Sequence, residues 1–419
     1  MSQPDVKNTT YNLKYGTAKI PLVLQPNIKR IEGNQPPFEL NKSKFKNELE
    51  VLLPANITTS TTVAIVVADK SRTCGYQTLL PWITDLLLSK GINKEEITFY
   101  IAYGTHGKQS DTESHQVYGD IFYDYKFVHH KSNKVELFEC YETTKRGTTV
   151  LVRKDVFKND VVITVGAISY HYFAGYGGGR KLIFPGLAAY RSIQHNHKLY
   201  LDGDNKTLNN KCQPGILEDN PVAEDLKEIY RMFPPFIMIH GILDSNGSIQ
   251  QAIIGNTYDS FLKACEIHNQ CYGVRTTESY DMVLTSAGGF PKDINFIQAH
   301  KAIHHAAMFV KSGGKLIVFA ECRDKIGSES FLKHFDFNYN RAFDAIYHNY
   351  AGNGGTALSL MEKTKRIKIY LVTELEQYLC EKLHLKKVEP KKVMSMVKNH
   401  QGSLAIISNA STIIPQKIP

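Results

Sequence analysis

The chain is short of several things that would have fixed its class at once. It has one tryptophan, Trp82, and seven cysteines, Cys74, Cys140, Cys212, Cys265, Cys271, Cys322 and Cys380, in its 419 residues. The cysteines are scattered, odd in number and contain no Cys-x-x-Cys pair, which argues against a disulfide framework and for a reducing compartment. Long apolar runs are missing as well. The longest β-rich stretch, Val63 to Ala68, is strand-sized, and the N-terminus MSQPDVKNTTYNLKYG has no apolar core of signal-peptide length. The expectation is a cytoplasmic protein with no membrane partner. There is no internal repeat or low-complexity tract.

What is present is a moderate excess of positive charge, +9 from 50 Lys and Arg against 41 Asp and Glu. Part of it clusters at Lys386, Lys387, Lys391, Lys392 and Lys398, which reads as a solvated helical face. No nucleic-acid module accompanies it, so no nucleic-acid partner is expected. A basic balance suits an enzyme that handles carboxylates or phosphates. The length exceeds what one core usually supports, and two α/β domains with mainly parallel sheets are expected, 1–270 and 271–419, with the active site in the cleft between them.

The periodicity supports that class. Val63 to Ala68 reads as a strand, Leu79 to Lys90 as a helix ended by Gly91, and Ile97 to Tyr103 as the next strand. Glu113 to Tyr118 reads as a short helix, followed by strands at Tyr125 to His129, Thr148 to Lys154 and Val161 to Val165. Phe261 to Cys271 reads as a connecting helix. A second α/β unit begins near Tyr280, with a strand at Met282 to Leu284, a helix over Asn295 to Lys311 and a strand at Lys315 to Phe319. Strands alternating with helices imply parallel sheets, whose ligand crevice lies beyond the carboxyl ends of the strands. Three polar clusters fall at such ends: Asp69-Lys70-Ser71-Arg72, Gly104-Thr105-His106 and Ser169-Tyr170-His171.

The densest chemistry lies in GAISYHYFAGYGGGRKLIFPGLAAYRSIQHNHKLY, residues 166–200. Gly177, Gly178 and Gly179 let the backbone approach a ligand closely, and their amides are candidates to face an anion. They are expected to shape a strand-to-helix turn. Lys181 follows, but Leu182 stands where a P-loop needs Ser or Thr, and the glycine spacing does not fit a dinucleotide fingerprint. His195 and His197 are two apart, so one could be a metal ligand and the other a bystander. His300, His304 and His305 resemble a metal motif without the general-base glutamate, which favours a helix face, although they leave a metal-dependent hydrolase open as an alternative. Cys265, His268 and Cys271 fit a packed seam better than a zinc site. A noncatalytic nucleotide- or phosphate-sensing protein using the glycine run is a further alternative.

Taken in order, the motifs resemble one family. They are Asp69-x-x-Arg72, Gly104-Thr105-His106, His171-Tyr172-Phe173-Ala174-Gly175, Gly178-Gly179-x-Lys181, Phe184-Pro185-Gly186, His197 and Gln298-x-x-Lys301. Together they resemble the lactate racemases, which use a nickel-pincer nucleotide. The resemblance implies a racemase or epimerase of a 2-hydroxy acid, an isomerase working by reversible hydride transfer. It implies that pyridinium-3,5-bisthiocarboxylic acid mononucleotide nickel is attached covalently to Lys181, with nickel bound by His197. It implies that His106 and His171 handle protons, that Arg72 and Lys301 hold the substrate, and that Asp69, Gln298 and Gly177 to Gly179 line the cofactor. Cofactor-biosynthesis enzymes would be its protein partners. Ser71-Arg72-Thr73 and Gly107-Lys108 depart from the family's usual residues, and Trp82 lies in the first domain rather than the second. A substrate other than lactate, such as a hydroxy diacid or sugar acid, is the expectation, with Lys108 able to meet an added carboxylate or hydroxyl.

Overall fold

The computed structural model describes residues 9–24 and 28–416. They divide into two compact units, one of residues 35–199 and 211–271, the other of 9–24, 28–34, 200–210 and 272–416. The chain therefore crosses between units several times. Residues 200–210 leave the first unit to pack with the second, where the amide of Leu208 donates to Glu362 and Lys206 pairs with Asp344 at 2.8 Å.

The unit of residues 35–199 and 211–271 is built on a six-stranded sheet. Its order is Ile249–Gly255, Ile237–Leu243, Val161–Ala167, Val63–Ala68, Ile97–Ala102, Lys126–His129. All neighbours are parallel except the first pair, which is an antiparallel hairpin. Every residue of Val63–Ala68 is buried, as a β-branched run covered on both faces should be. From that strand the chain winds outward through Ile97–Ala102 to Lys126–His129, then returns to place Val161–Ala167 on the opposite side. The strand order thus reverses between Val63–Ala68 and Val161–Ala167, which is where a doubly wound sheet opens its ligand crevice. Asp69 and Ile168 follow those two strands directly.

Two sequence expectations are corrected here. Thr149–Arg153 is a strand, but it pairs antiparallel with Phe138–Thr143 in a separate ribbon, because the short turn at Thr144–Gly147 cannot make a parallel crossover. The glycine run does not lead straight into an α-helix. Tyr170–His171 pairs antiparallel with Gly175–Tyr176, and a single 3-10 turn, Gly179–Leu182, follows before the helix Tyr190–Lys198.

The other unit has its own six-stranded, all-parallel sheet, in the order Lys386–Lys387, Lys368–Val372, Val310–Phe319, Tyr280–Ser286, Leu404–Ile407, Lys29–Ile31. An antiparallel ribbon, Thr9–Tyr15 with Ala18–Leu24, sends Leu13, Leu22 and Leu24 into a core with Met282, Ile317 and Phe319. The helix expected over Asn295 to Lys311 is Phe296–Ala307, and the next strand starts earlier, at Val310. Asn295 caps that helix by accepting from the Gln298 amide at 3.0 Å. No helix among the described residues is long and apolar enough to cross a membrane.

Candidate active site

Asp69 ends its strand 3% exposed and turns the chain by accepting from the Ser71 amide at 2.7 Å and hydroxyl at 2.6 Å. Its other oxygen, Oδ2, lies 2.6 Å from Nδ1 of His106. Burial opposes ionisation of this carboxyl, but the His106 and Ser71 hydrogen bonds and the charges of His106 and Arg72 outweigh it and hold Asp69 well below the usual carboxylate range. An ionised Asp69 accepts from Nδ1–H, so the remaining nitrogen, Nε2 of His106, carries the lone pair.

The loop that presents His106 is tied down by the Phe184-Pro185-Gly186 motif. The Gly104 amide donates to the Gly186 carbonyl at 2.8 Å, and a side chain at Gly186 would meet the Leu182 carbonyl at 2.2 Å and Ala102 at 2.8 Å. Only glycine fits there. Beyond His106, the Tyr103 hydroxyl contacts His129 at 2.9 Å; burial first, then the charges of Lys108 and Lys131, lowers that imidazole's pKa.

His171 is half-buried and differs from His106 in its commitment. Its Nδ1 accepts from the Ala174 amide at 3.2 Å, which puts any ring proton of the neutral form on Nε2. The ring of Phe173 stands edge-on to His171, at 4.6 Å between centroids, and edge-on to His197 at 5.1 Å. His197 projects from the helix Tyr190–Lys198. Its pKa is pushed down to about 3, by burial first and then by the charges of Lys181, Arg72 and His106. Burial thus keeps the His197 imidazole neutral, the form that binds a metal. His195 turns elsewhere, with Nδ1 3.0 Å from the Thr148 hydroxyl.

Lys181 sits in the 3-10 turn, its amide on the Gly178 carbonyl and its carbonyl accepting from Gly186, both at 2.9 Å. Gly178 and Gly179 have φ of +88° and +33°, and a side chain at Gly179 would strike the His240 ring at 2.3 Å. The Gly177 amide already donates to the Ser169 carbonyl at 2.8 Å. Of the three glycine amides read as anion donors, that one is committed inside the fold.

In the other unit, Lys301 and Gln298 share one helix, with Lys301 Nζ donating to Gln298 Oε1 at 2.5 Å. His300, His304 and His305 on that helix are all buried, His305 against the Ala410 carbonyl at 3.0 Å and His304 against the Ser359 hydroxyl at 3.3 Å. They are buried core residues of that helix. No group of three or more His, Cys, Asp or Glu among the described residues could hold a metal ion between them, so a hydrolase built on these histidines or on Cys265, His268 and Cys271 has no geometric support. His268 packs its ring against Tyr170, at 4.7 Å between centroids.

Sequence reasoning passed over four buried polar residues around the site: Arg180, Asn220, Asp225 and His240. Asn220-Pro221 was a legible helix start, since Asn caps and Pro follows at the first helical position. The others carry no sequence signal of their own.

Residues 33–209 match the family described as lactate racemase N-terminal domain, and residues 275–415 match lactate racemase C-terminal domain. A lactate racemase of Thermoanaerobacterium thermosaccharolyticum is 30% identical over 65% of this chain and 63% of its own, and one of Lactiplantibacillus plantarum is 27% identical over 64% and 62%. These alignments span just under two thirds of the relatives' length. The structure of the lactate racemase apoprotein from T. thermosaccharolyticum superposes with a TM-score of 0.82 at 24% identity, covering 97% of this chain and 100% of that one. A Thermotoga maritima protein of known structure follows at 0.68 and 15%, covering 93% and 100%. Both likenesses speak for the fold. With both domain matches in chain order, the chain belongs to the lactate racemase family.

Proposed function

We propose that the protein is a racemase or epimerase of a 2-hydroxy acid that works with a nickel-pincer nucleotide tethered through Lys181. The observation that carries this reading is the buried Asp69 carboxylate held 2.6 Å from Nδ1 of His106 beyond the ends of two adjacent parallel strands, in a chain whose two domains match the lactate racemase family. The donor chemistry fits such a group. A neutral imidazole suits nickel(II), a lysine amine suits a covalent tether, and the Arg72 guanidinium suits an anionic substrate. Lys181 and His197 would hold the group, with the amides of Gly178 and Gly179 toward its phosphate. When bound it would supply a hydride acceptor for the carbon that bears the hydroxyl.

The chain's own residues do the rest. Arg72 orients the substrate carboxylate. Nε2 of His106, left bare by the Asp69 bond, takes the hydroxyl proton of one enantiomer, and Asp69 stabilises the imidazolium that results. With that acceptor bound, the carbon would become planar as a ketone and lose its handedness. His171 serves the other face, so the two imidazoles exchange roles between enantiomers. Gln298 and Lys301 are assigned pocket contacts by the resemblance alone. A substrate more polar than lactate is favoured by Lys108, two residues beyond His106 on the same exposed loop.

Two measurements test the reading. Protein coexpressed with cofactor-making enzymes should carry a mass adduct that Lys181→Ala lacks; fully active protein of unmodified mass contradicts the tether. A substrate deuterated at the stereocentre and racemised in ordinary water should keep its label, whereas washout into solvent means direct proton abstraction.

A further inference from the structure

The helix Pro221–Tyr230 lies beneath the loop that carries His171 and the helix that carries His197. At its start Asn220, fully buried, uses all of its amide. Oδ1 accepts from Val222 at 3.1 Å and Ala223 at 3.2 Å, capping the helix, while Nδ2 donates to the carbonyls of Phe173 and Ile216, each at 2.9 Å. Phe173 is the residue whose ring touches both His171 and His197. Five positions on, Asp225 is also fully buried. Its Oδ1 accepts from the Thr144 hydroxyl at 2.5 Å, and Oδ2 accepts from the Thr148 hydroxyl and from Nδ2 of Asn196, both at 2.8 Å. Asn196 immediately precedes His197.

A carboxylate buried among neutral donors is a poor source of stability, since an apolar side chain of the same size would avoid its desolvation. What three convergent donors supply is direction. Asp225 fixes the end of one helix against the Thr144–Thr148 turn, and Asn220 fixes the backbone of the neighbouring loop, both from a single rigid element. We propose that Asn220 and Asp225 are positioning residues, Asn220 for the His171–Ala174 loop and Asp225 for the helix end that presents His197. This rests on the roles given above to His171 and His197. Groups that fix the bearing of a metal-binding or acid–base imidazole without touching substrate commonly matter about 10- to 100-fold.

The test uses the full chain free of cofactor, treated with diethyl pyrocarbonate and mapped by peptide mass spectrometry, with half-buried His115, whose side chain is 43% exposed, as the internal reference. Asp225→Asn keeps the volume but replaces one acceptor by a donor; the rate at His197 should rise about threefold or more while that at His171 stays level. Asn220→Ser keeps a capping oxygen but cannot reach Phe173, and should give the converse. If either variant moves both histidines equally, or neither, the assignment is overturned. Should Asp225→Asn not fold, Asn196→Ala leaves the carboxylate its two threonine donors, and an unchanged His197 there overturns it equally. In loaded enzyme both substitutions should lower kcat about tenfold with KM little changed. A selective footprint in a protein that never takes up an adduct at Lys181 would defeat the functional reading and leave the brace standing.

Discussion

Nδ1 of His106 points at Oδ2 of Asp69 across 2.6 Å, and the carboxylate is buried while the imidazole is partly open. The pair joins the ends of two adjacent parallel strands, so the sheet itself sets its spacing. A side-chain carboxylate meets Nδ1 of His106, whereas Nδ1 of His171 accepts from the backbone amide of Ala174. The neutral rings are therefore opposite tautomers, with the proton on Nδ1 in His106 and on Nε2 in His171. In the proposed reaction the two imidazoles are therefore unequal partners.

Asp69→Asn should expose that inequality. The amide cannot stabilise an imidazolium, and it competes for the Ser71 contacts that shape the turn. With the fold retained by circular dichroism, kcat/KM should fall about 100-fold in both directions, because the equilibrium constant fixes the ratio of the two values. Near-normal turnover in the variant would mean that His106 is oriented by something else, or is not the base.

The placement of Asp69, His106 and His171 was legible in the sequence for a physical reason. Buried parallel strands announce themselves as β-branched runs, and the polar residues directly after them have nowhere to go but the crevice. Lys181 and His197 stood out by their motif rather than by pattern. What the sequence hid depends on distant partners. Thr149–Arg153 looks like any other strand until its hairpin decides its direction, and residues 200–210 join the other unit through Asp344 and Glu362, far along the chain. Asn220 and Asp225 read as ordinary polar positions of an amphipathic helix, since nothing local says that Phe173 and Asn196 will arrive beside them.

Acid should weaken the fold through its buried neutral histidines. His130 is 4% exposed, donates from Nε2 to the Ala188 carbonyl at 3.0 Å, and has its pKa pushed down to about 4, chiefly by burial. Its folded value lies below that of an unfolded histidine, near 6.5, so at neutral pH it is uncharged in both states. As pH falls below about 6.5 the unfolded chain takes up a proton that the folded chain refuses, at about 1.4 kcal/mol of lost stability per pH unit until about pH 4. His130→Gln keeps a donor for Ala188 and cannot titrate. Urea unfolding at pH 7, 6 and 5 should show the variant less stable at pH 7 but declining less steeply. Parallel declines would mean that His130 is protonated alike in both states.

Arg180, beside Lys181, is 3% exposed, and its Nε, Nη1 and Nη2 have no hydrogen-bond partner among the described residues. Its guanidinium carbon lies 4.0 Å from the centroid of the Phe261 ring, with Tyr258 further off at 5.7 Å. A desolvated cation over an aromatic face gains about 2 kcal/mol, and here that face replaces the missing acceptors. Phe261→Leu should therefore cost more than its lost volume, about 3 kcal/mol in all. In an Arg180→Met background, where no charge remains to be faced, the same substitution should cost about 1 kcal/mol. Denaturant midpoints of the two single variants and the double give the coupling directly. Strict additivity would show that the ring packs against the arginine without holding its charge, and the turn that carries Lys181 would then owe its place to the glycines and Gly186 alone.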